Sequence, residues 1–334
     1  MNTVKWGILG AGWFGEKHAE ALSGIPNVEL YALCRRNAKP LNAMAKTFGV
    51  KKTFTDYDEM LADPELDAVS VTTMWDAHVA PTLAAIKAGK HVFLEKPMAS
   101  TVADCRKIVK AAKASKKYFM VGHICRFNPR YAAAKREIES GAIGKVISAY
   151  ARRNIPAWVG ATVLPKIGPI IGDGVHDMDL ILWYTRAKVV SAYAQTTSFN
   201  KFPNPDSGWS MFRLDSGATV VLENNWCLPD GTAFQIDERM EIIGTKGSIH
   251  IHETHPNFSV CKEAKWISPD TTYWPELHGL RAGALREELS YFAACVAERR
   301  KPKVITPEES MAAVEACLAA EKSAATGKVV TLKH

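Results

Sequence analysis

The 334-residue chain contains no run of about 18 apolar residues, so no segment is expected to cross a membrane. It also lacks any pair of cysteines separated by two residues. Cys34, Cys105, Cys125, Cys227, Cys261, Cys295 and Cys317 are widely scattered, which excludes a zinc knuckle or redox pair of the CxxC kind. An odd, dispersed set reads as reduced thiols acting as small hydrophobes. No basic leader precedes an apolar run, and a strand-like segment begins at Val4. No signal peptide is therefore expected, and the expected location is cytoplasmic. Internal repeats and low-complexity tracts are absent too. Excess charge is small: 42 Lys and Arg against 35 Asp and Glu leave +7. That balance suits anionic ligands such as phosphates but is too slight and dispersed to imply nucleic acid. Lys113, Lys116 and Lys117 cluster at a helix end, where they suit the negative end of the dipole.

Strand and helix signals alternate through the first third. Strands are expected over Val4–Leu9, Val28–Cys34, Ala68–Thr73, His91–Leu94 and Tyr118–Val121. Helices are expected over Glu16–Leu22, Ala38–Phe48, Ala80–Ala88 and Ala103–Ala114. This order implies a parallel sheet covered on both faces. The pattern then changes. A helix over Arg130–Glu139 and a strand over Val146–Arg152 lead into a Gly- and Pro-rich stretch, 157–174, which reads as a long loop able to cover a site. A helix over Val175–Trp183 follows. Alternating strands are expected over Val190–Ala194, Trp209–Leu214, Thr219–Trp226, Arg239–Gly244 and Ser248–Glu253, as an antiparallel or mixed sheet. Helices over Leu285–Arg299 and Pro307–Thr326 close the chain. The expected fold class is α/β: a parallel-sheet domain over 1–122, then an α+β domain over 123–334, with the terminal helices able to pack across the division.

Gly10-Ala11-Gly12-Trp13-Phe14-Gly15 lies between the first strand and the first helix. In a dinucleotide fingerprint, Gly10 permits the tight turn and Gly12 lets backbone approach a pyrophosphate. Gly15 lets helix and strand pack closely, and the helix start at Trp13 and Phe14 faces the negative charge. The second strand ends at Cys34-Arg35-Arg36. Arg35 stands 35 − 15 = 20 residues beyond Gly15, where an acidic residue usually accepts the ribose 2′-hydroxyl. A cation there suits a 2′-phosphate, with Arg36 as a second contact. NADP is therefore the expected cofactor, with NAD admitted.

Glu95-Lys96-Pro97 follows the fourth expected strand, at the sheet edge where ligands of this fold sit. Pro97 restricts Lys96 to extended geometry. Glu95 either orients Lys96 or serves as a buried structural partner. Farther on, Asp173 precedes His176 by three residues, and Asp179 follows it by three. Asp173 can cap the helix or bind substrate, Asp179 can orient the ring, and His176 is the natural proton carrier near neutral pH. His250-x-His252-x-x-His255 has the residue types of a metal site, yet a solvated strand edge explains it more simply, and no metal is expected.

The segments GILGAGWFG, AGKHVFLEKPMA, VGHICRFNPRY, GDGVHDMDLILWY, IIGTKGSI and AAEKSAATGK together resemble the glucose-fructose oxidoreductase / inositol dehydrogenase / MocA family, nearly end to end. The resemblance implies a Rossmann domain followed by an open-faced, mainly antiparallel mixed sheet. It implies oxidation or reduction of a sugar, cyclitol or related polyol, and a homodimer or homotetramer formed through the open sheet face. It implies that Lys96 is the active-site lysine and His176 the catalytic histidine. His123, Arg126, Arg152 and Trp158 are implied near substrate, and Thr73, Trp75 and His78, with Glu95, beside the cofactor. Two departures stand out. The family's aspartate, four residues before the histidine, is replaced here by Gly172; either Asp173, one residue later, fills the role, or the sugar-binding detail has changed. The usual Thr-Pro-Asn-like turn reads Thr73-Met74-Trp75, and Trp75 either borders the cofactor or fills core. Three functional readings follow: a dehydrogenase; an isomerase, lyase or sugar–sugar oxidoreductase that retains its cofactor; or a non-enzymatic NADP-binding sensor.

Overall fold

The computed structural model describes residues 3–252, 258–262 and 265–333. The chain divides into two compact units, Met1–Asn128 with Thr272–Met311, and Pro129–Thr271 with Ala312–His334.

In the first unit the elements run β1 (Val4–Leu9), α1 (Trp13–Leu22), β2 (Val28–Cys34), α2 (Ala38–Phe48), β3 (Lys52–Phe54), α3 (Tyr57–Leu61), β4 (Ala68–Val71), α4 (Val79–Lys87), β5 (His91–Glu95), α5 (Val102–Ala114) and β6 (Phe119–Gly122). The six strands form one parallel sheet in the order β3-β2-β1-β4-β5-β6. Every residue of β4 and β6 is buried, as expected for strands covered on both faces. Short β3 and α3 were not expected from the sequence. A three-residue strand carries too few alternations to register as a period. Local signals set the helix ends. Asn37 accepts from the Lys39 amide at 3.1 Å to begin α2, and Gly49, at φ +68°, ends it. Trp6 anchors the core, fully buried, with its ring centroid 5.6 Å from that of Phe292.

The second unit contains α6 (Pro129–Glu139), β7 (Val146–Asn154), α7 (Ala157–Val163), α8 (Pro169–Gly172), α9 (Gly174–Thr185), β8 (Val189–Thr197), β9 (Ser207–Leu214), β10 (Thr219–Asn225), β11 (Asp237–Gly244) and β12 (Ser248–His252). Residues 157–174, expected as a long loop, carry two short helices instead. Pro169 opens α8 at a position where its missing N–H costs nothing. Glu253, expected to end β12, and His255 lie outside the described residues. A hairpin, β13 (Val260–Lys262) with β14 (Lys265–Ile267), follows. The short pair β15 (Glu276–Leu277) and β16 (Leu280–Arg281) and helix α10 (Ala284–Ala297) belong to the first unit. Helix α11 (Pro307–Thr326) continues into the second, where β17 (Val330–Thr331) completes the sheet.

That seven-stranded sheet has the order β12-β11-β7-β10-β9-β8-β17. Only β7 and β10 pair in parallel, so the sheet is mixed and mainly antiparallel. One face carries Ala149, Ala151, Val220, Leu222 and Met240, buried under helices including α9. The opposite face is open and carries Tyr193, Trp209 and Met211, all exposed.

Candidate active site

At the carboxyl edge of the parallel sheet, the three glycines of the first turn do different work. Gly10 takes φ +96°, and a Cβ there would fall 2.6 Å from the Thr73 nitrogen. A Cβ on Gly15 would fall 2.5 Å from the Gly10 carbonyl oxygen. These two are close-packing positions. Beside Gly12 the nearest atom is the Gly10 oxygen at 3.9 Å, so the missing side chain leaves a cradle at the start of α1. Gly12 caps α1 without a side chain, leaving the first-turn N–H groups of Trp13 and Phe14 for an external acceptor. This is the geometry that a dinucleotide pyrophosphate requires.

Arg35 and Arg36 leave the end of β2. The Arg35 guanidinium donates to the Ala11 carbonyl at 3.1 Å, which brings its positive charge back to the glycine turn. Arg36 is exposed. Thr73 donates from its hydroxyl to the Ala77 carbonyl at 3.2 Å. Trp75 lies half-buried in the 3₁₀ turn 75–77, so it is not a core filler. His78 is buried between the carbonyls of Pro97, at 2.9 Å, and Thr73, at 3.1 Å. Burial lowers its pKa, so the neutral ring donates to one carbonyl at a time. His78 thus ties the turn after β4 to the segment after β5.

Glu95 ends β5 and is held on both oxygens. Oε1 lies 3.0 Å from Nε2 of His18, while Oε2 accepts from the Lys96 backbone N–H at 3.2 Å. The other His18 nitrogen lies 3.0 Å from the Ser70 hydroxyl, which accepts from the Trp6 indole N–H at 2.9 Å. Ser70 can therefore donate to Nδ1, leaving Nε2–H to donate to Glu95. Glu288 of α10 is fully buried, and its carboxyl oxygens have no hydrogen-bond partner among the described residues. Burial, reinforced by the nearby charge of Glu95, holds its pKa well above the usual carboxylate range. Lys96 is half-exposed beyond this network, and its bond to Pro97 is cis. His123 and Arg126 follow β6 and are buried. The Arg126 guanidinium donates to Val304 O at 2.6 Å and lies 3.3 Å from Glu309 Oε2.

In the second unit, Asp173 occupies the N-cap of α9, and its backbone carbonyl accepts from the His176 amide at 2.9 Å. Its side-chain Oδ2 accepts from the Trp226 indole N–H, also at 2.9 Å. A Cβ on Gly172 would fall 2.4 Å from the same indole ring. Trp226 thus fills the space of a side chain at 172 and holds the carboxylate one residue later. Asn224, fully buried on the same strand face, has its Oδ1 2.7 Å from where a Gly174 Cβ would sit. His176 is buried in the first turn of α9. Asp177 beside it accepts from Arg153 at 3.1 Å, and Arg153 also grips both oxygens of Glu238 at 2.9 Å. Tyr131 donates to Glu238. Burial pushes the Asp177 carboxyl up to about 6, against the opposing pull of Arg153. Asp179 is buried in the next turn.

The second unit therefore brings Asp173 and His176 together with Trp226. Trp158 is exposed on α7, whose Gly160 packs against the Trp226 backbone, and its amide donates to Asp230 at 3.2 Å. Arg152 is not brought together with them. It alternates with Arg153, lies on the open sheet face and donates to Asp237 at 2.9 Å. His18, Ser70, Glu288, Arg153, Asn224 and Trp226 were not singled out from sequence. Only His18, three residues after Gly15 on α1, carried a local signal.

Known proteins agree with this architecture. Residues 4–123 match the model of an oxidoreductase family with an NAD-binding Rossmann fold, and residues 131–250 match the GFO/IDH/MocA C-terminal domain. The chain is 34% identical to an inositol 2-dehydrogenase of Acidothermus cellulolyticus over 258 residues, 76% of this chain and 74% of the relative. It is 29% identical to a scyllo-inositol 2-dehydrogenase (NAD(+)) of Bacillus subtilis, over 99% of this chain and 97% of the other. The crystal structure of apo scyllo-inositol dehydrogenase from Lactobacillus casei superposes with a TM-score of 0.86 at 25% identity, covering 99% of this chain and 98% of that one. With the glycine cradle, the lysine after β5 and the aspartate–histidine pair all on the matched segments, the chain belongs to the GFO/IDH/MocA oxidoreductase family.

Proposed function

We propose that the chain is a nicotinamide-dependent dehydrogenase acting on a cyclitol, sugar or related polyol. Residues 1–122 hold the dinucleotide, and 123–334 carry the substrate and oligomer contacts. One observation carries the reading. Strands β1 and β5 flank β4 in a parallel sheet, so the Gly12 cradle and Lys96 leave the sheet at the same carboxyl edge. The relatives named above as inositol and scyllo-inositol dehydrogenases support the substrate class.

The bound nicotinamide supplies the hydride acceptor or donor. Gly10, Gly12 and Gly15 with the first turn of α1 hold the pyrophosphate, and Thr73, Trp75 and the His78-tethered turn border the dinucleotide. His176 takes the substrate hydroxyl proton on a ring nitrogen during oxidation and returns it during reduction. Lys96 Nζ donates to the forming carbonyl oxygen and stabilises its developing charge. Asp173, fixed by Trp226, orients substrate at the start of α9. His123 and Trp158 bind substrate in a supporting role, whereas Arg126, its guanidinium buried against Val304 O and Glu309, serves structure instead. Arg152, on the opposite sheet face from α9, is left out of this set.

The cofactor is NADP in preference to NAD. This is supported by the two arginines at the end of β2 and by the return of Arg35 to the glycine turn. The protein acts in the cytoplasm, a reducing compartment that suits its seven free thiols. The open face bearing Tyr193, Trp209 and Met211 pairs two copies, giving a homodimer or homotetramer. Parallel fluorescence titrations with NADPH and NADH test the cofactor. Tighter NADPH binding, reduced about tenfold or more in Arg35→Ala, is the expected result. Equal or tighter NADH binding retires the NADP preference, and binding of neither retires the dehydrogenase reading.

A further inference from the structure

On the open face of the second unit, far along the sheet order from Trp209 and Met211, three metal-ligating side chains converge. His250 and His252 alternate on β12, the edge strand, and share one face of it. Glu241 of β11 stands directly across from His250 in the antiparallel register. One ligand atom from each of the three lies within 4.8 Å of the others. Read from sequence, the pattern His250-x-His252-x-x-His255 has the residue types of a metal site but is explained more simply as a solvated strand edge, and Glu241, the carboxylate beside the first two, lies on another strand. Its presence changes the chemistry. Two imidazoles and a carboxylate form a donor set that suits zinc, whose Zn–N and Zn–O bonds run about 2.0–2.2 Å.

We propose that Glu241, His250 and His252 bind one zinc-class divalent ion, which clamps edge strand β12 to β11. The inference goes beyond the dehydrogenase reading and does not depend on it. In tetrahedral coordination the ligand atoms stand roughly 3.4 Å apart, so small side-chain rotations close the site with no movement of the strands. Both histidines are exposed and Glu241 is half-buried, so an ion can enter without unfolding and a water completes the coordination. The Ser248 hydroxyl lies 3.1 Å from Nε2 of His250 and steadies that ring, a contact of the kind that supports many metal-bound histidines. The competing partner is Arg239, opposite His252 in the register. Its guanidinium is 3.7 Å from Glu241, too long for a strong hydrogen bond, and solvent-accessible enough to swing aside.

The test is calorimetric titration of tag-free, full-length protein, stripped with chelator, with Zn²⁺ alone. One ion per chain with Kd of about 10 μM or tighter is expected. His252→Ala and Glu241→Gln should each weaken binding at least about tenfold, and Ser248→Ala should weaken it in the same direction. Zn²⁺ should raise Tm in the parent and not in His252→Ala, while NADPH or NADH affinity stays the same in both. A Co²⁺ adduct should show the visible absorption of a low-coordinate nitrogen–oxygen site. Absence of micromolar binding overturns the proposal. So does binding that survives unchanged in both His252→Ala and Glu241→Gln, because the ion would then sit on other groups, such as the exposed Cys261 thiol.

Discussion

At the scale of single residues, the second unit packs an indole ring into the space that a side chain at position 172 would need. At Gly172 a Cβ would press to 2.4 Å from the Trp226 ring, whose indole N–H in turn fixes Asp173. Gly172→Ala should therefore force the indole aside and lower stability by about 1–3 kcal/mol, the usual effect of overpacking. Calorimetric Tm measures it, and an unchanged Tm would show that the indole yields freely. That residue 172 is glycine and residue 173 aspartate is readable in the sequence, but the packing around them is not, because Trp226 lies 53 residues from Asp173 along the chain. The same limit applies to Glu95. Its place before Lys96 is a local pattern, whereas its bond to His18 spans 77 residues and depends on how α1 lies against the sheet. Gly12 shows the opposite case. Its role follows from spacing alone, since the turn between a strand and a helix fixes which glycine is left open.

Between elements, His91 joins the start of β5 to the start of β6, its Nδ1 accepting from the Tyr118 amide at 2.9 Å. Burial, aided by Lys117, lowers its pKa to about 4. The unfolded chain titrates this group near pH 6.5, so between those values the unfolded state binds more protons and stability rises with pH. The contribution is complete above about pH 6.5 and is lost as pH falls toward 4. Asp177 has the opposite sign. Its carboxyl, raised to about 6, destabilises the fold as pH rises from about 4 through 6. Subtracting one protein from the other isolates His91. Urea midpoints across this range should fall less steeply with acid in His91→Gln than in the parent, and identical slopes would remove His91 as the cause. The long, regular elements were legible because caps and periods are local: Asn37 and Gly49 bracket α2 at the expected residues. The helices α7 and α8 were not. Each is too short for its own period, and the prolines and glycines of 157–174 read as loop until packing against Trp226 and β9 orders them.

At the scale of the whole chain, the alternation of strand and helix made the parallel sheet legible, and period-two segments did the same for the mixed one. That the terminal helices can pack across the division was legible, but the bounds of the segment that returns to the first unit, 272–311, were not, since an amphipathic helix such as α10 shows that it packs, not on what. The open sheet face leaves Tyr193, Trp209 and Met211 in water in a single chain. If two copies pair there, Met211→Glu should lower the mass measured by light scattering to that of a smaller assembly, and an unchanged mass would move the contact elsewhere. The most direct test of the proposed function is turnover. Purified protein supplied with NAD⁺ or NADP⁺ and a panel of inositols and other polyols should form reduced nicotinamide. Lys96→Ala should lose at least about tenfold in turnover while its cofactor titration stays close to the parent's. Reduction by the parent with full turnover in Lys96→Ala would contradict the role of that lysine, and cofactor binding with no reduction on any polyol would contradict the dehydrogenase itself.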